Sequence, residues 1–497
     1  MKQSRRIQTC NNIFILNTLE YNIHNWSITT PDKIALIDKK KTFSYKELFE
    51  NIWASKILLE LEYGISKGDT VVLAANKNVA FVFTYFALHL IGAKVLPIDE
   101  QITQDRLKFT LDKINPKLIV GLENKINNIK TIEFDCFTDL EKSSIPLDIS
   151  FPNLEHSADL LFTTGTTGEP KGVLLSHRNI AQSVNNINSF IGNNQNDTEL
   201  LAMPISHSFG LARLKCVLSA GGTLVLLGNI VNMKRMFRMF DEYKVTGFGM
   251  VPASWSYIKK MSGNKLAEYS NQLNYIEFGS AYMSAEDKMA LTNLFPNTSL
   301  CMHYGLTEAS RSTFMEFNTS KDHLNTIGKP SPNVIINIFD ENGKKLSKEE
   351  EGEICIKGDH VSTEYLNIER NDLFYGEYFR TGDIGLINKK DYIVLKGRSK
   401  EIINIGGKKL SPIEVEDKIK EFDSELEAVC IGIPDVQGVL GEVVKVFVVK
   451  GNSIYDFEEI DNFLKKKLEK YKVPVEYEWI NEVPKTSSGK IQRQKLK

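Results

Sequence analysis

The chain is predicted to be α/β, with a large multi-layer N-terminal domain of mostly parallel sheets over residues 1–398 and a small α+β C-terminal domain over 399–497. Two observations carry this. From about Thr30 to Ile230, helical segments such as SYKELFENIWASKILLEL alternate with short apolar runs such as TVVLAAN, KLIVGL and GTLVLLG, the rhythm of parallel strands joined through helices. Near residue 400 the pattern changes. There, KKLSPIEVEDKIKEF offers Ser411 as a helix cap, Pro412 at the first helical position and Glu414 where a capping box places it. Strands AVCIGIP and VVKVFVV, the helix YDFEEIDNFLKKKLEKY and a basic tail follow.

Taken in chain order, the most apolar window is AFVFTYFALHLIGAKVLPI from Ala80. Its apolar run lasts about a dozen residues before Gly92 and Lys94, short of the ~20 a membrane span requires, so it reads as a buried helix followed by a core strand. LLFTTGTTGEPKGVLLS reads as strand, loop, strand. Its loop, Thr163, Thr164, Gly165, Thr166, Thr167 and Gly168 followed by Lys171, presents hydroxyls, backbone N–H groups and one cation, as an anionic oxygen cluster requires. It is not a Walker loop, because Pro170 stands where the second glycine belongs; an ordinary polar hairpin is the competing reading.

Six further stretches are chemically suggestive, and each has a plain structural alternative. In MPISHSFGL, His207 follows a strand end among small residues, and FGSAYMS holds Gly279, Ser280 and Ala281, small enough to lie against a planar ring. HYGLTEAS places Tyr304, Thr307 and Glu308 in a short turn, where a carboxylate beside a hydroxyl suits Mg²⁺ or simply starts a solvated helix. YFRTGDIG sets Asp383 in a glycine-flanked turn, able to accept two ribose hydroxyls. GRSKEIINIGGKK couples Arg398 and Lys400 to Gly406 and Gly407, and the tail VPKTSSGKIQR carries Lys490.

The bulk numbers exclude several classes. A formal net charge of −2 gives no footprint for nucleic acid. The six cysteines form no CxxC pair, which suggests neither zinc nor a disulfide framework and makes a reducing, cytoplasmic setting the expectation. The apolar stretch Ile13 to Leu16 is too short for a signal-peptide core, and no transmembrane segment is predicted.

In this order, the hydroxyl/glycine loop with lysine, the histidine after a strand, the small-residue turn, Y-G-x-T-E, T-G-D, G-R-x-K-E and the terminal P-K-T-x-x-G-K resemble the adenylate-forming (AMP-binding) superfamily of acyl-CoA synthetases, aryl-CoA ligases, peptide-synthetase adenylation domains and luciferases. The resemblance runs from about residue 25 to 497. It implies an acid–thiol ligase in which ATP and Mg²⁺ convert a carboxylic acid to an acyl-adenylate, releasing pyrophosphate, before a thiol takes the acyl group. The catalytic residues it implies are Lys490, His207, Glu308 and Arg398. The loop Thr163 to Gly168 with Lys171 would hold the β- and γ-phosphates, Gly279 to Ala281 and Tyr304 the adenine, Thr307 the α-phosphate, Glu308 the metal, and Asp383 with Arg398 the ribose. Lys490 would bridge the attacking carboxylate and the α-phosphate, and His207 would border the carboxylate and the thiol tunnel. The small domain would turn about Lys400 between half-reactions, bringing Gly406 and Gly407 to a pantetheine channel.

The family's amino-acid-activating members carry an aspartate that pairs the substrate ammonium, and SHSFGL has none, so the expected substrate is a plain carboxylic acid. Phe248, Met250, Val251 and Tyr282 are the expected acyl-pocket walls, and their apolarity favours a fatty or medium-chain acid. Two departures stand out: Tyr282 replaces a common proline, and CMHYG replaces the usual glutamine-glycine pair before Tyr304. The acceptor is expected to be coenzyme A, with the phosphopantetheine of an acyl carrier protein as the alternative. A luciferase-like oxygenase and a non-catalytic acyl-adenylate sensor are the readings from other classes. The charged set Lys171, Glu308, Asp383, Arg398 and Lys490 argues against the sensor.

Overall fold

The computed structural model describes residues 16–122, 129–163, 171–228, 230, 232–362, 364–366, 373–406, 408–436, 440–450, 455–486 and 489–496. The hydroxyl/glycine loop Thr164 to Gly168 and Gly407 lie outside them.

Two sheets build the body of the large domain. In the nine-stranded sheet, six neighbouring strands run parallel: Ser299–Tyr304, Tyr275–Phe278, Gly247–Met250, Thr198–Leu201, Thr223–Leu226 and Ile34–Asp38. In the seven-stranded sheet, five run parallel, including Thr70–Ala74, Lys94–Ile98 and Ser157–Thr163. A five-stranded antiparallel sheet that includes Tyr378–Ile387 and Ile393–Arg398 adds a third layer. The α/β expectation holds. Beyond it, Ala428–Pro434, Glu442–Val449 and Glu476–Ile480 form a small three-stranded sheet with its own apolar core around Val415, Ile419, Val446, Ile460 and Leu464.

Local chemistry explains these elements. Tyr45–Leu61 starts at Ser44, whose side chain and that of Glu47 close a capping box. Val79–Ile91 is buried along nearly its whole length and ends on Gly92 at φ +82°, a left-handed cap that glycine adopts without cost. The strand Lys94–Ile98 follows, as the apolar window predicts. Pro412 does open the helix Pro412–Phe422, but Ser411 makes no side-chain cap. Glu414 turns away to pair with Lys472 Nζ at 2.6 Å, so the predicted capping box is not formed.

One polar cluster lies deep between the layers. His89 contacts Glu20 Oε1 at 2.9 Å and Asp159 Oδ1 at 3.1 Å, Lys215 Nζ lies 2.5 Å from Asp159, and the Tyr85 hydroxyl donates to the same carboxylate at 2.8 Å. The cluster ties the helix Leu19–Thr29 to Val79–Ile91, to the strand leading into the hydroxyl loop and to the helix Ser208–Ser219. Burial pulls the His89 pKa down, but the two carboxylates outweigh it and leave it raised. Burial pushes Glu20 and Asp159 up, and their cationic partners outweigh that and hold both below the usual carboxylate range.

The His89 contribution is complete below the ordinary histidine range and is lost as pH rises through its raised pKa. The contributions of Glu20 and Asp159 are complete above the ordinary carboxylate range and are lost on acidification. Replacing His89 with Leu leaves buried carboxylates short of a partner and is expected to cost about 3–5 kcal/mol in urea unfolding. The variant should also lose the alkaline decline in stability; an unchanged pH profile would contradict the assignment.

Candidate active site

A cleft of about 760 Å³ opens between the large domain and the C-terminal segment. Its walls include Thr163, Lys171, His207, Ser280, Thr307, Glu308, Arg398, Lys400 and Lys490, so residues separated by more than three hundred positions meet in one place. Thr163 and Lys171 pair across adjacent antiparallel strands and hold the two ends of the hydroxyl loop together at the cleft.

Behind the wall, the Tyr304 hydroxyl donates to Asp383 Oδ2 at 2.5 Å, and Arg398 Nε lies 2.7 Å from Asp383 Oδ1. Arg398 Nη1 also donates to the Thr381 carbonyl at 3.2 Å. Asp383 and Arg398 face each other on neighbouring strands, which fixes the pair in register. Burial raises the Asp383 pKa despite Arg398 and Tyr304. Glu308 is buried, and its Oε1 accepts from the Tyr365 hydroxyl at 2.7 Å, which leaves Oε2 for another partner. A hard oxygen donor beside the Thr307 hydroxyl fits Mg²⁺.

His207 precedes the helix Ser208–Ser219, half-buried, and burial lowers its pKa, which favours the neutral imidazole. Lys490 enters the cleft from a turn closed by Thr486 N–H to the Lys490 carbonyl at 2.8 Å. Desolvation, with Arg398 next, lowers its pKa, while Asp383, Glu401 and Glu308 oppose the shift. Gly279 and Ala281 flank Ser280 just past the strand Tyr275–Phe278, with Ser280 at φ +68°. Gly406, at φ +57°, turns the hairpin between Ile403–Ile405 and Lys408–Leu410 and is not part of the cleft wall.

Of the expected acyl-pocket residues, His207 lines the cleft, and Phe248, Met250, Val251 and Tyr282 do not. Phe248 and Met250 are fully buried in the core beneath the nine-stranded sheet, Phe248 edge-on to Phe240. Both faces of an interior parallel strand are covered, and neither side chain lines the cleft. Val251 packs behind Phe209 and Met203. Tyr282 is 51% exposed, and its hydroxyl donates to Asp417 of the small domain at 2.7 Å. Residues that sequence reasoning did not name also line the cleft: Tyr365, which holds Glu308, and His303, Phe209 and Arg311. Two of them had a signal, His303 in the departure CMHYG and Phe209 in MPISHSFGL.

An α/β body closed over a polar cleft by a small domain that contributes a lysine is the architecture of a nucleotide-dependent ligase. The chain belongs to the AMP-binding enzyme family: that family matches residues 24–366, and the AMP-binding enzyme C-terminal domain matches 414–490. It is 29% identical over 508 residues to oxalate–CoA ligase of Arabidopsis thaliana, covering 96% of this chain and 97% of that protein. It is 28% identical over 495 residues to 2-succinylbenzoate–CoA ligase of Staphylococcus aureus, covering 93% and 96%. In fold it matches ATP-bound MatB of Rhodopseudomonas palustris with a TM-score of 0.88 at 23% identity, over 96% of this chain and 98% of that one. Among the described residues, no helix is long and apolar enough to cross a membrane.

Asp383→Ala removes the acceptor shared by Tyr304 and Arg398. It is expected to raise the KM for ATP about 10- to 100-fold, in keeping with ~1.5–3 kcal/mol for a charged hydrogen bond. Steady-state kinetics with ATP varied checks this, and an unchanged KM would remove Asp383 from the nucleotide site.

Proposed function

We propose that the protein is an AMP-forming acid–thiol ligase: it activates a carboxylic acid with ATP and passes the acyl group to coenzyme A. The observation that carries this reading is the convergence of Lys490, Arg398, Asp383 and Glu308 on one cleft in a chain of this family. A carboxylate cannot expel oxide when a thiol attacks, so its oxygen must first be made part of a good leaving group. In the first half-reaction a carboxylate oxygen attacks the α-phosphorus, the bond to the β-phosphate oxygen breaks, and pyrophosphate leaves. In the second, sulfur attacks the acyl carbon, the carbon–oxygen bond to AMP breaks, and AMP leaves.

The residues divide the work by charge and position. Lys490 offsets the two anions, carboxylate and α-phosphate, as they meet. Asp383 grips the ribose hydroxyls, with Arg398 and Tyr304 holding its carboxylate in place; Tyr304 offers its ring face to adenine beside Gly279, Ser280 and Ala281. Thr163 to Gly168 and Lys171 take the terminal phosphates, and Thr307 the α-phosphate. Glu308 holds Mg²⁺, which neutralises triphosphate charge. Neutral His207 borders the acid. The domain boundary falls at 398/399, and rotation about Lys400 withdraws Lys490 after the first step and brings Gly406 and Gly407 to the thiol arm.

Coenzyme A is favoured over a carrier protein because two relatives aligned over more than nine-tenths of the chain are named CoA ligases. The preference for a fatty acid loses its basis, since it rested on Phe248, Met250, Val251 and Tyr282 as pocket walls, and those relatives are named for oxalate and 2-succinylbenzoate. The unpaired Cys136, Cys216, Cys301, Cys355 and Cys430 support a cytoplasmic setting.

Lys490→Ala is expected to reduce acid-dependent ATP–pyrophosphate exchange by at least about 100-fold while sparing thiolysis of a preformed acyl-adenylate. Equal loss of both half-reactions would remove Lys490 from its assigned step.

A further inference from the structure

We propose that His303 forms the floor of the acyl end of this cleft and restricts the enzyme to short acids with a polar tail. The inference rests on the acid–thiol ligase reading and adds a substrate class to it. His303 lines the cleft one residue before Tyr304, on the strand Ser299–Tyr304, and its side chain is 7% exposed. Its ring lies so close over Gly279 that a Cβ on that residue would sit 2.0 Å from His303 Cε1. The imidazole therefore occupies the space in front of the small-residue turn, and the glycine is what admits it.

The ring is held from behind. Nδ1 lies 2.6 Å from Glu277 Oε1, and Phe209 meets the ring edge-to-face at 4.8 Å. Glu277 is fully buried and faces Arg311 Nε at 3.2 Å and Arg213 Nη1 at 3.3 Å. Arg213 in turn is held by Glu199, with Nε to Oε1 at 3.0 Å. An alkyl chain passing His303 would meet this charged layer, and breaking into paired, buried charges is strongly unfavourable.

Ser206, Ser208, Ser280, Ser310 and the Arg106 guanidinium line the same cleft as His303, alongside the apolar Leu306 and Phe209. These hydroxyl donors, with the Arg106 cation, complement a tail that carries a hydroxyl or a second carboxylate.

The test is pyrophosphate release with ATP, Mg²⁺ and coenzyme A across oxalate, malonate, succinate, lactate, hexanoate and octanoate, using the full chain and its His303→Gly and His303→Ala variants. Turnover by the unaltered enzyme is expected with short polar acids and at least about 100-fold less with octanoate. Malonate against lactate tells a second carboxylate from a hydroxyl. Either variant that melts cooperatively should shift the octanoate-to-short-acid ratio of kcat/KM upward about tenfold or more, a change of preference that mere loss of structure does not produce. The inference is overturned if the unaltered enzyme prefers octanoate, or if a folded variant keeps the original ratio. Should neither variant fold, the acid preference of the unaltered enzyme still decides. Silence with every acid would overturn the ligase reading and the inference together, whereas an octanoate preference would overturn the inference alone.

Discussion

The cleft depends on a carboxylate placed where carboxylates rarely sit. Glu277 is fully buried on an interior strand of the nine-stranded sheet, and the cations Arg311 and Arg213 make that tolerable, with the His303 imidazole adjacent. Arg311 also reaches the backbone carbonyls of Ser208 and Phe209 at 3.1 Å each. One buried charge thereby locks three things that must be mutually placed: the strand end before Gly279, the strand end before Tyr304, and the start of the helix that follows His207. The second cluster, around Asp159, does the same for the other sheet, joining the strand that leads to the hydroxyl/glycine loop to Lys215 on that same helix. Desolvated charges demand their partners at fixed distances, which is why such networks set geometry more firmly than apolar contacts do.

The small domain is held more lightly. Tyr282 donates to Asp417, and Lys420 pairs with Asp287 at 2.5 Å, both at partly exposed positions. Exposed pairs of this kind contribute little, about 0–1 kcal/mol each. The Glu277 and Asp159 networks lie within the large domain, and these two exposed contacts lie at its boundary with the small one.

Much of this was legible in the sequence because it is local. The capping box at Ser44, the buried helix from Val79 and the strands on either side of the hydroxyl loop are set by neighbours within a few residues. The ordered motifs from Thr163 to Lys490 also announce one site, since each carries its own chemistry in a short span. Three things were not legible. The run Gly247–Met250 is apolar on both faces, and a pattern without alternation gives no sign of which side chains meet ligand. Glu414 leaves its cap for Lys472, 58 residues away, and no local rule foresees that partner. His303, Glu277, Arg311 and Arg213 become a unit only when two strands, a turn and a helix are assembled, although the unusual CMHYG marks where to look.

The central claim is that the acid's own oxygen becomes bonded to the α-phosphorus of ATP. An acid labelled with ¹⁸O in its carboxylate tests this directly, with the nucleotide product analysed by mass spectrometry after turnover with coenzyme A. The account predicts AMP carrying one ¹⁸O atom from the acid and unlabelled pyrophosphate. Unlabelled AMP, or ADP with label in inorganic phosphate, would contradict it.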